Sequence, residues 1–267
     1  MTSWSSALLV AAAVALPAPA AASVPTDLPA GGTHHRGQRP ALVAIRPVVP
    51  GVATGSSVLI ARYTFDARSS AVLADASGHG HTLRVDAAHG GSVHPVVHGR
   101  GAAIAFPPEC RAAVCPHVAL RSPTAADLNP GIRDIAFGAE VLLPPGQTSK
   151  GENIVQKGYS RTSSQWKLQV DGVAGRPSCV LVDDKRPRIR IAYSAVSIAD
   201  GHWHALQCRR AGTTLSIFVD GVTRGSIDVP SWLSVTNQRP LSIGGKGAFA
   251  DNDQFNGALD NVWVQIG

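Results

Sequence analysis

The chain holds only three glutamates, Glu109, Glu140 and Glu152. Glycoside hydrolysis needs two carboxyl groups facing each other across the bond to be cut. Glu109 adjoins Cys110 in an expected loop, and Glu152 sits near a turn. Glu140 alternates with apolar residues along an expected strand and has no acid two positions away. The densest polar group is Asp251-Asn252-Asp253, read as a binding loop, with a solvated Asx-rich turn as the competing reading. Asp183-Asp184 runs into Lys185-Arg186 and reads as a charged hairpin tip. His79 and His81, and the set His89, His94 and His98, are the candidates for metal or acid–base work. Pro95 opposes a helix that would align His94 with His98, so all five are read as loop or strand-edge residues. The chain has no G-x-S-x-G elbow, no H-E-x-x-H and no phosphate-binding G-x-x-x-x-G-K-[ST].

The elements that must position these residues are strands. From Leu59 onward, short β-rich runs are punctuated by Gly, Pro, Asn and Asp, with no helix of ten or more residues. Ile135, Phe137, Ala139, Val141 and Leu143 alternate with their neighbours, as do Trp166, Leu168 and Val170. Thr214 to Val219 runs into Asp220-Gly221, a two-residue hairpin signal, and Val222 to Val229 is the return strand. Leu241 to Ile243 and Ala258 to Ile266 close the series. Many strands at short spacing predict an all-β, two-sheet antiparallel β-sandwich of the jelly-roll kind. Trp203, Phe218 and Trp263 are expected to fill its core. Trp166 and Trp232 are the two tryptophans least clearly placed there, and Trp166 joins Asp251, Asn252 and Asp253 as an expected ligand contact.

Composition sets outer bounds. With 44% hydrophobic and 16% charged residues, most of the chain should fold. The net charge of +6 is spread along the sequence, densest at Lys185, Arg186, Arg188 and Arg190. No basic stripe is interleaved with stacking aromatics, so nucleic acid is not an expected partner. Ala7 to Leu16 is an apolar run too short to span a bilayer and followed by small-residue cleavage sites. Residues 1–22 are therefore expected to be a signal peptide, although Met1 to Ser6 lack the usual Lys or Arg. Residues 23–57, rich in Pro and Ala, including His34-His35, are expected to form a flexible linker. The folded domain should span 58–267, with no membrane span after the leader and a secreted, extracellular destination.

Several motifs in order carry a resemblance. Tyr63-Thr64-Phe65-Asp66 with Asp75 to Gly80, then Gly99 to Phe106, then Asn153 to Gly158, resembles bacterial laminin-G-like jelly rolls of the concanavalin A-like lectin/glucanase superfamily. Asp200 to His204, Leu215 to Gly221, Leu241 to Gly245 and Phe255 to Asp260 are similar to that family's closing half. The resemblance implies a sandwich from about residue 58 to 267. It also implies one structural calcium held by oxygen ligands, with Asp66 near the first strand and Asp260 near the last. The four cysteines fit two bridges in such a domain: Cys110 with Cys115, and Cys179 with Cys208. Four free thiols would be unexpected in an exported protein, and no cysteine pair has zinc-site spacing.

The superfamily also hosts glucanases, whose acids typically alternate on one strand as Glu-x-Asp-x-x-Glu, and that pattern is absent here. The expected function is therefore a non-catalytic binding module for a polysaccharide or other glycan, or a cell-envelope polymer. The alternatives are an interaction domain for an extracellular protein, or a glycosidase or polysaccharide lyase. A glycan site should expose an aromatic beside polar donors, whereas an enzyme should expose two acids close together.

Overall fold

The structure, a computed structural model, describes residues 56–66 and 72–267. The expected signal peptide and nearly all of the expected linker lie outside these residues. In chain order the first strands are β1 (Val58–Tyr63), β2 (Val72–Leu73), β3 (Leu83–Ala88), β4 (His94–His98), β5 (Gly101–Ala105) and β6 (His117–Arg121). Next come β7 (Ile135–Leu142), β8 (Gly151–Gly158), β9 (Gln165–Asp171), β10 (Arg176–Val182) and β11 (Ile189–Tyr193). The last are β12 (Trp203–Ala211), β13 (Thr214–Val219), β14 (Val222–Asp228), β15 (Leu241–Ile243) and β16 (Ala258–Ile266). No helix among the described residues is long and apolar enough to cross a membrane.

Two eight-stranded sheets face each other. Sheet A runs β14-β13-β12-β7-β16-β5-β4, with β1 also paired to β16; sheet B runs β11-β10-β9-β8-β15-β6-β3-β2. All pairings are antiparallel, from the first strand against the last to the β13–β14 hairpin. That hairpin turns on Asp220 (φ 54°) and Gly221 (φ 76°), the positive angles that a two-residue turn demands. The period-two pattern of β7 explains its place at the centre of sheet A. Ile135, Phe137, Ala139 and Val141 are buried, while Ala136, Glu140 and Leu142 face outward and are partly exposed.

Both expected disulfides are formed. Cys110–Cys115 closes the loop between β5 and β6. Cys179 on β10 joins Cys208 on β12, tying sheet B to sheet A through the core.

Trp166 and the three aromatics expected in the core reverse the expectation, while Trp232 is exposed. Trp166 is fully buried; its ring packs 4.8 Å from Phe137 and its indole N–H donates to the Leu128 carbonyl at 3.1 Å. It cannot be a ligand platform, because the alternation that buries Leu168 and Val170 turns it inward as well. Trp203, Phe218 and Trp263 are partly exposed and stand outside the core. On β12 and β13 the inward positions belong to Leu206, Cys208, Leu215 and Ile217, so Trp203 and Phe218 fall on the opposite face. Trp263 is put outside by a one-residue bulge: Asp260 pairs with Glu140, but Trp263 pairs with Gly138. Asn261, at φ 46°, absorbs the extra residue. A β-carbon on Gly138 would strike the Leu206 carbonyl and stand 3.1 Å from the Trp263 ring, so the indole lies over bare backbone.

Candidate functional site

The expected binding loop is mostly occupied with itself. Asn252 is buried; its amide donates to the Gly247 carbonyl at 2.8 Å, and its oxygen meets His117 Nδ1 at 3.1 Å. Asp253 lies between Lys167 and Lys246, each at 2.8 Å. Burial works against the Asp253 charge, but the two ammonium groups outweigh it and hold the carboxyl below its usual range. Asp251 and Asp253 have φ of 62° and 50°, as an Asx-rich turn requires. Only Asp251 is well exposed, at 71%. Trp166 does not join this loop. Its neighbour Lys167 points to the opposite face of β9 and is the residue that meets Asp253.

The expected calcium ligands do not come together as an oxygen cage. Asp66 accepts the Ala102 amide at 3.0 Å. Asp260 accepts its neighbour Asn261's amide at 2.6 Å and is 2.7 Å from His98 Nδ1, with Glu140 3.5 Å from the same nitrogen. Calcium takes six to eight oxygens, and this donor set, with an imidazole at its centre, does not fit it. Glu140 and Asp260 are the paired acids that one strand could not show, because they meet across the β7–β16 register. They bracket a ring nitrogen rather than an open gap, and Asp260 is only 7% exposed. Burial first, and then Glu140, push the Asp260 carboxyl above its usual range. His98 in turn stacks on Trp203 with ring centroids 3.9 Å apart. On a flat sheet four strand spacings of about 4.8 Å would separate β4 from β12, so the β4–β5 hairpin leans over this face.

A cavity lies elsewhere. A pocket of about 230 Å³ is lined by Asp183, Arg186, Arg188, Arg190, Pro230, Trp232 and Leu233. It forms where the β10–β11 hairpin tip meets the turn that follows β14. Asp183 ties the two together: one oxygen accepts the amides of Lys185 and Arg186 at 3.0 and 2.7 Å, the other that of Ser234 at 2.7 Å. Burial opposes its charge, but these amides and the Arg186 guanidinium prevail and keep the carboxyl below its ordinary range. Beneath the turn, the buried Arg210 donates to the carbonyls of Leu233 and Ser231 at 2.6 and 3.1 Å. Both walls are thus fixed before any ligand arrives.

The chemistry of the lining is cationic and aromatic. Arg190 lies on β11, and Arg186 and Arg188 lie in the hairpin tip before it, where the Arg188 amide donates to the Arg186 carbonyl; all three line the pocket. Arg186 stacks over Trp232 at 4.6 Å, and Trp232 is 48% exposed. Among the described residues none of the three arginines is salt-bridged. The one carboxylate in the lining, Asp183, is already committed to backbone amides. The basic stretch and Trp232 were each visible in the sequence. What it lacked was the fold-back that sets Pro230–Leu233 against the hairpin tip.

Residues 137–265 match the concanavalin A-like lectin/glucanases superfamily, and the resemblance read from the sequence holds there. No curated protein matches the chain by sequence. Among solved structures it is similar to domain 4 of AbnA, a GH43 extracellular arabinanase from Geobacillus stearothermophilus, in complex with arabinotriose. That match has a TM-score of 0.59 at 14% identity and covers 80% of this chain and 94% of that one. It is also similar to the binding domain of botulinum neurotoxin DC in complex with SialylT, with a TM-score of 0.55 at 10% identity over 77% of this chain. The same domain in complex with rat synaptotagmin II gives 0.55 at 12% identity, again over 77% of this chain. The chain spans about half of each neurotoxin binding-domain chain, 47% and 48%. At such identities these likenesses carry the fold.

Proposed function

We propose that this concanavalin A-like sandwich is an exported, non-catalytic binding module that takes an acidic polysaccharide at the Arg186–Arg188–Arg190–Trp232 pocket. Residues 1–22 act as its leader, 23–57 as a tether, and 58–267 as the binding domain. The observation that carries the reading is the pocket itself, in which an exposed indole stands beside three arginines that form no salt bridge among the described residues. A pyranose ring has an apolar face that packs on an indole. A uronate or sulfate on that ring offers the planar, bidentate acceptor that a guanidinium fits. The similar structures support a binding role: one neighbour holds arabinotriose and another holds SialylT. Two disulfides within the domain support an extracellular setting.

The test is depletion of the full chain by immobilised acidic and neutral polysaccharides. Acidic polymers should remove it from solution and neutral ones should not. Trp232→Ala should weaken the interaction by about tenfold, equivalent to about 1.4 kcal/mol. Equal capture by neutral polymers, or no change in Trp232→Ala, contradicts the proposal. Failure with every polymer moves the chain toward a protein partner, the kind of ligand that synaptotagmin II is for one neighbour.

A further inference from the structure

A second group of side chains, remote in sequence from the pocket, has no part in the reading above. His79 and His81 lie in the loop between β2 and β3, and Asp127 in the segment between β6 and β7. His81 Nε2 and His79 Nδ1 both point at Asp127 Oδ2, at 2.9 and 3.5 Å. All three ligand atoms lie within 4.8 Å of one another. Around a tetrahedral zinc with bonds of 2.0–2.1 Å, neighbouring ligand atoms stand about 3.3 Å apart. The two observed separations straddle that value. We propose that His79, His81 and Asp127 form a zinc-binding site.

The donor set is the first reason. Two imidazole nitrogens and one carboxylate oxygen suit zinc. By contrast, the His98–Glu140–Asp260 group offers a single nitrogen that both carboxylates already share. The second reason is that both sides of the site are held in place without the metal. Tyr63 donates its hydroxyl to the His81 carbonyl at 2.7 Å, and Asp75 accepts the His81 amide at 3.0 Å. Asp75 also accepts the amides of Arg62 and Ser77, both at 2.9 Å, so the loop is pinned to β1. On the other side, Asp127 precedes Leu128, which is fully buried and whose carbonyl receives the Trp166 indole N–H. Ligands held by their own backbone contacts are those that need least rearrangement on metal binding.

The third reason is access. His81 is nearly enclosed at 7%, while His79 and Asp127 are 35% and 41% exposed. An ion can therefore enter, and three protein ligands would leave the fourth position of a tetrahedral zinc to water. The site would clip together segments 46 residues apart in sequence, fixing one end of sheet B to the approach to β7.

Zinc binding is measured by competition with a chromogenic chelator, in the full chain carrying His34→Ala and His35→Ala so that the N-terminal pair does not contribute. One zinc per chain is expected, and cobalt in its place should give the strong visible absorption of tetrahedral geometry. His79→Ala and Asp127→Asn should each weaken zinc by on the order of 100-fold, while His98→Ala should leave it unchanged. His79 is at the surface, so its replacement removes a ligand without disturbing the loop's internal bonds. No stoichiometric uptake, or uptake that survives His79→Ala, or uptake that is lost in His98→Ala, overturns the site.

Discussion

Glu152 is fully buried, with one oxygen 2.7 Å from the Ser149 amide and the other 3.3 Å from the Asn256 amide. Burial dominates those bonds and raises its carboxyl from 4.5 to about 7. Between those two values the folded chain keeps a proton that the unfolded chain has lost, so stability falls as pH rises through this window. The full effect is on the order of 3 kcal/mol. Glu152→Gln should remove it: denaturant midpoints at pH 5 and pH 8 should differ in the parent by more than in the variant. Equal pH slopes would contradict the assignment. Trp166 gives a second prediction at this scale. Its truncation to Ala should cost about 3–5 kcal/mol, since it also strands the Leu128 carbonyl, whereas Trp203→Ala on the outer face should cost far less. The alternation of Trp166 with Leu168 and Val170 is itself a signal of burial, because the three share one face of β9. The face that its strand neighbours occupy, more than the size or polarity of the indole, decides where a tryptophan points.

At the scale of elements, most strands were legible, because period two and turn chemistry are local signals. The Asp220-Gly221 hairpin and the closing strand Ala258–Ile266 stand where the sequence predicts them. The bulge at Asn261 was not legible. Strict alternation from the buried Leu259 would send Asn261 and Trp263 inward; instead, the extra residue turns Val262, Val264 and Ile266 to the core and the indole out. Cross-strand neighbours such as Glu140 and Asp260 were hidden for a related reason, since register depends on the partner strand. The Cys179–Cys208 bridge joins the two sheets, and its loop of 29 residues is worth about 3–4 kcal/mol by chain entropy. Replacing both cysteines with alanine should lower the denaturation midpoint accordingly. Replacing Cys110 and Cys115, separated by 5 residues, should cost about 2 kcal/mol. Equal effects of the two double variants would contradict this loop-length argument.

For the whole molecule, charge matters through placement more than through its total. A net charge of +6 would attract any polyanion weakly, but three arginines around one indole concentrate that attraction where an aromatic can also select a sugar ring. The opposite arrangement, with Trp203, His98, Glu140 and Asp260 clustered on the outer face of sheet A, is acidic and hydrogen-bonded within itself. The two faces therefore make opposite demands on a ligand. The most direct measurement is the affinity of the full chain for an acidic polysaccharide at about 0.05 M and about 0.5 M salt, where screening lengths differ severalfold. It is compared with the variant carrying Arg186→Gln, Arg188→Gln and Arg190→Gln, and with Trp203→Ala. Binding that weakens at least tenfold with salt, loses that dependence along with most of its strength in the arginine variant, and survives Trp203→Ala is the predicted result. Binding that ignores salt and the three arginines but is abolished by Trp203→Ala would place the ligand on sheet A and contradict the account.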